Sequence, residues 1–126
     1  MTRRALLTLA LLAPAGPALA HEPNARGPHG GMIADAGTRH VELVLRDGEL
    51  RIHVLDDQDR PVPATGASGS AVVQGGGRQQ TVRLELAPDG AFLLGRGDWT
   101  ARGTRVVATL TLPGQPQRSV RFAAAN

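Results

Sequence analysis

Val41, Leu43 and Leu45 alternate with polar or charged neighbours, and so do Leu50, Ile52 and Val54 after Asp47-Gly48. This two-residue period predicts a pair of half-buried antiparallel strands. Asp-Gly between them calls for the positive φ angles of a two-residue primed turn, which fixes the register. Leu45 then faces Leu50, Leu43 faces Ile52 and Val41 faces Val54, an apolar face that belongs to the core. The opposite face pairs Arg46 with Glu49, Val44 with Arg51, Glu42 with His53 and His40 with Leu55. It gathers two histidines and a carboxylate on a face expected to be open to solvent.

From Met32 onward, short apolar runs alternate with Gly, Pro and Asp turns about every ten residues. Asp56 to Pro61 reads as a turn; its three aspartates lack the glycine and closing Glu of a calcium loop. Strands follow over 70–74, 78–86 and 91–94, with Val82, Leu84 and Leu86 expected on one buried face. Gly75-Gly76-Gly77 lacks the following Lys and helix of a phosphate loop and simply turns the chain. Trp99 is expected to plug one end of the core. Val106, Ala108, Leu110 and Leu112, then Val120 and Phe122, supply the last buried positions. The sum is seven to eight strands and no helical period in the mature chain. An antiparallel immunoglobulin-like β-sandwich is expected, with a small closed β-barrel as the alternative.

The first twenty residues change the picture. Arg3 and Arg4 precede an apolar run and an Ala18-Leu19-Ala20 exit, the pattern of a signal peptide cleaved after Ala20. The expected location is periplasmic, with the general secretory route preferred to the twin-arginine route that Arg3-Arg4 also resembles. No stable membrane insertion is expected after cleavage. Removing residues 1–20 of the 126 leaves 106, enough for one domain over 32–123 preceded by a flexible polar arm over 21–31. The formal charge of +3 includes Arg3 and Arg4 and falls to +1 without them. That weak charge and three aromatic side chains (Phe92, Trp99, Phe122) argue against nucleic acid as a partner.

There is no cysteine, so thiolate metal sites and Cys nucleophiles are excluded. No serine sits in a G-x-S-x-G elbow, and no base and nucleophile pair stands out, so no enzyme and no organic cofactor are expected. Metal binding is the sharper expectation. His40, Glu42 and His53 share one strand face, with directly opposed Cβ atoms about 5 Å apart. Imidazole and carboxylate donors suit Zn²⁺ or Cu²⁺, with His29 or Met32 completing a site. The plain alternative is a solvated ladder in which Glu42 and His53 form an ion pair. A second arrangement uses His29-Gly30-Gly31, whose Pro-His-Gly-Gly setting resembles the copper-binding unit of prion octarepeats. A third uses His21, whose freed amine and ring could chelate copper after cleavage.

Pro28-His29-Gly30-Gly31, then His40-x-Glu42-Leu43-x-Leu45-x-Asp47-Gly48, then Val54, Asp56 and Pro61-Val62 resemble the β-rich amino-terminal region of periplasmic adaptors of cobalt-zinc-cadmium type efflux systems and their small stand-alone relatives. Leu93-Leu94-Gly95-x-Gly97, the strand over 106–112 and Arg121-Phe122 extend the likeness. The resemblance does not extend to the hairpin, lipoyl and barrel domains of a complete adaptor, so bridging a pump to an outer-membrane channel is not expected of these residues alone. The resemblance implies a metal-handling role, with His29, His40 and Glu42 carried over and an efflux-system component as partner. The leading expectation is therefore a small periplasmic protein that binds or delivers a divalent metal in heavy-metal homeostasis or efflux. Its rival is a metal-free interaction module that contacts an efflux or envelope partner.

Overall fold

The computed structural model describes residues 25–125, and every regular element among them is a strand. They are β1 (Met32–Ala36), β2 (Arg39–Arg46), β3 (Glu49–Leu55), β4 (Pro61–Val62), β5 (Ser68–Gly75), β6 (Arg78–Leu86), β7 (Leu93–Arg96), β8 (Arg105–Thr111) and β9 (Arg118–Arg121). All pairings are antiparallel, in the order β1-β2-β3-β7-β6-β5-β8-β9, with β4 beside the end of β3. β5, β6 and β7 form a meander and β8 returns to lie against β5, which is the Greek-key order. β1 and β9 lie alongside one another at the two ends of the path. The fold is thus all-β, an antiparallel and nearly closed barrel-like sheet, consistent with the sandwich expectation and its small-barrel alternative.

The β2–β3 register is the one the alternation predicts, from Arg46 opposite Glu49 to His40 opposite Leu55. Its turn differs. Gly48 has φ +74° but Asp47 stays out of the left-handed region, so the two positive φ angles of a primed turn are not both present. Contacts from 97–101 hold this tip instead. Gly48 N–H donates to the Trp99 carbonyl at 2.9 Å, Gly97 N–H to the Gly48 carbonyl at 3.2 Å, and Ala101 N–H to Asp47 Oδ1 at 2.8 Å. Trp99 in turn donates its indole N–H to the Arg46 carbonyl at 2.9 Å and closes that end of the core.

Val41, Leu43, Leu50, Ile52, Leu93, Val106 and Leu110 are almost wholly removed from water. Each such burial is worth roughly 1.5–3 kcal/mol, and with no cysteine this core is what holds the sheet together. Leu86 is the exception to the expected pattern, at 43% exposure. β6 pairs with β5 as far as Leu84 and with β7 from Glu85. Alternation slips by one residue at that corner, so Ala87 is buried where Leu86 was expected.

Residues 25–31 depart from the expected arm. Arg26 bridges to Met32, Gly30 N–H donates to the Gly27 carbonyl and Gly27 N–H to the Gly31 carbonyl, each at 2.9 Å. The segment folds back over β2 as a tight turn. The expected export signal and His21 lie outside the described residues.

Candidate functional site

The turn over 27–31 sits on the face of β2 and β3 that the pattern left polar, and this changes what that face is. Glu42 has no exposed surface and His53 is 8% exposed, so the pair is buried rather than solvated. A carboxylate in such a place must be hydrogen-bonded. Glu42 Oε2 accepts the backbone N–H groups of His29 at 2.9 Å and Gly31 at 2.8 Å, while Oε1 lies 2.6 Å from His29 Nδ1. Such close approach needs the glycines. A Cβ on Gly27 would stand 2.3 Å from Glu42 Cδ, and one on Gly31 2.3 Å from the Leu43 carbonyl oxygen.

His29 then lies flat on His53, with ring centroids 3.7 Å apart and planes 12° from parallel. His53 tilts against Phe92 at 5.2 Å, and the Arg51 guanidinium covers the Phe92 ring at 4.6 Å. Burial holds the His53 imidazole below its ordinary pKa; His29 pushes the same way, Glu42 opposes, Arg51 lowers it and Asp89 raises it. With Oε1 accepting from Nδ1–H, the neutral form of the His29 ring carries its proton on Nδ1 and presents the Nε2 lone pair as a donor. The His29 side chain keeps 35% of its surface and lines an open groove of about 360 Å³. His53, Asp89, Phe92 and the Pro61-Val62-Pro63 segment complete that groove.

The expected ligands do not all meet. His40 shares the face of Glu42 but is engaged elsewhere, with Nδ1 2.5 Å from Asp59 Oδ1 and Nε2 3.2 Å from Asp35 Oδ1. Met32 pairs with Leu43 and packs against the core, so its thioether lies on the other face of the sheet from Glu42. Glu42 is bonded to His29 and stands across the ladder from His53, yet both of its oxygens are already engaged by residues 29–31. An amide chelate through Gly30 and Gly31 would compete with the bonds those N–H groups make to Gly27 and Glu42. Among the described residues, no three His, Asp or Glu side chains are already gathered around one metal position.

Two features were missed in the sequence. Phe92 falls within the strand expected over 91–94 and Asp89 in the gap between expected strands, yet both line the groove. Nothing in their local pattern marks them, because they come from the far side of β3 through the β6–β7 connection. No protein-family model matches the chain, and no curated protein or solved structure shows a significant similarity to it. What the chain does must be read from its own side chains.

Proposed function

We propose that this chain is a non-enzymatic periplasmic β-domain that binds or delivers a divalent cation, Zn²⁺ or Cu²⁺, in heavy-metal homeostasis or efflux. The observation that supports it is the His29–Glu42 pair. A buried carboxylate that accepts a hydrogen bond from the Nδ1–H of an exposed histidine sets the tautomer, orients the ring and raises the basicity of Nε2, the arrangement that accompanies metal-ligating histidines. Imidazole donors suit Zn²⁺ and Cu²⁺ over Mg²⁺ or Ca²⁺. Calorimetric titration of the tag-free mature protein should give stoichiometric Zn²⁺ or Cu²⁺ binding that His29→Ala removes. Absence of binding by the intact protein would end this reading.

A second reading has one observation in its favour. Pro61, Val62, Pro63, Ala91 and Phe92 give the groove apolar walls, which suits a metal-free module that docks an apolar segment of an efflux or envelope partner. Co-purification with such a component, unaffected by chelator, would favour it.

A further inference from the structure

We infer that Asp89 is the oxygen ligand of this site, and that the cation is held by His29, His53 and Asp89 while Glu42 stays outside the coordination shell as the residue that positions His29. The inference rests on the metal-binding reading above and names its ligand set. Three separate elements bring these donors to one groove: the 27–31 turn, β3, and the connection from β6 to β7.

Asp89 is placed by a braced turn. Gly90 N–H donates to the Ala87 carbonyl at 2.8 Å, Ala87 N–H to the Phe92 carbonyl at 2.9 Å, and Ala64 N–H to the Gly90 carbonyl at 2.9 Å. Asp89 Oδ1 accepts the Ala91 N–H at 3.1 Å, which orients the carboxylate without burying it. An exposed carboxylate on a braced turn, lining the same groove as two imidazoles, supplies the oxygen donor that a borderline divalent ion can take beside nitrogen. The other carboxylate near the rings is already used. Glu42 is fully buried and carries two backbone N–H groups and a ring nitrogen, so ligation through it would strip bonds that hold the 27–31 turn.

The stack fixes what must move. Two nitrogens bound to one tetrahedral ion at about 2.0–2.1 Å stand roughly 3.3 Å apart. The rings lie 3.7 Å apart between centroids, and parallel rings aim their lone pairs side by side rather than at one point. His29 is held by Glu42. His53 is held by ring contacts with His29 and Phe92, and its terminal torsion is a soft one. Binding therefore unstacks the pair by turning His53, and Asp89 closes the third side.

The test is Zn²⁺ titration of the mature tag-free protein, followed by calorimetry and by the ring signals of its histidines in NMR. Wild type should bind one ion with shifts at His29 and His53; Asp89→Asn should weaken binding at least tenfold, and His40→Ala should leave it unchanged. Asp89→Ser keeps an acceptor for the Ala91 N–H and serves if the Asn variant misfolds. Equal binding by wild type and the Asp89 variants, or shifts confined to other histidines, overturns this ligand set while the metal reading stands. No binding by wild type overturns both.

Discussion

Glu42 stands directly across the ladder from His53, but its two carboxylate oxygens are taken by His29 and Gly31, thirteen and eleven residues earlier in the chain. One buried side chain therefore fastens the 27–31 turn to the sheet and sets the His29 tautomer. These two roles separate by substitution. In Glu42→Gln the amide oxygen keeps both backbone N–H groups, while the amide NH₂ faces His29 Nδ1 and moves the ring proton to Nε2. Stability should fall by only about 1 kcal/mol, while the ¹⁵N shifts of His29 report the tautomer change and metal affinity drops. Glu42→Ala leaves the donors without an acceptor and should cost about 3 kcal/mol or more by denaturant unfolding.

Space, rather than conformational freedom, is the requirement at Gly31. A Cβ there meets the Leu43 carbonyl oxygen at 2.3 Å, and that backbone is fixed in the β1–β2 ladder. Gly31→Ala should destabilise by roughly 1–3 kcal/mol. Gly30 is the reverse case, with open space around it but φ +78°. Gly30→Ala should cost about 1 kcal/mol through backbone strain alone. Paired thermal melts check the contrast; equal losses would show that crowding at Gly31 is relieved by movement of the turn.

The β2–β3 pairing was legible because alternation and turn length both constrain it, and every predicted partner across that hairpin is found. The nature of its second face was not legible. Polar residues at alternate positions predict solvent, and the return of residues 27–31, whose glycines allow near contact, turns Glu42 into a buried group and, together with Phe92, covers His53. His40 shows the same limit from the other side. Its strand position places it near Glu42, but Asp35 stands directly opposite it across the short β1–β2 hairpin and Asp59 reaches it from the turn after β3, the second a tertiary contact that no local pattern encodes. Leu86 follows the alternation in sequence and breaks it in space because β6 changes partner at Glu85.

Acid should loosen the metal-free protein through His53. Its folded pKa lies below the ordinary 6.5, chiefly through burial and then through the neighbouring His29. The unfolded ring gains its proton near pH 6.5 and the folded ring only at lower pH, so between those values the unfolded state binds more protons. Stability should therefore fall as pH drops through 6.5 and level off below the folded pKa. Melting temperatures from pH 7.5 to 5 should show a steeper decline for wild type than for His53→Gln. Parallel profiles would mean that another group carries the acid sensitivity.

His40 and Asp59 tie β2 to the turn that follows β3, and neither lines the His29–His53 groove. Asp59 has φ +60°, the one non-glycine residue among those described in the left-handed region, so its carboxylate is presented to His40 at a backbone cost. Asp59→Gly relieves that cost and removes the contact at once, whereas Asp59→Asn keeps a residue that tolerates the conformation and removes only the charge. A double-mutant cycle with His40→Ala and Asp59→Asn should give a coupling energy of about 1 kcal/mol. Asp59→Gly should be less destabilising than Asp59→Ala, which keeps the strain and loses the contact. Metal affinity should be the same in all of these variants. A loss of affinity with His40→Ala would instead join the two histidine clusters into one site and return His40 to the ligand set.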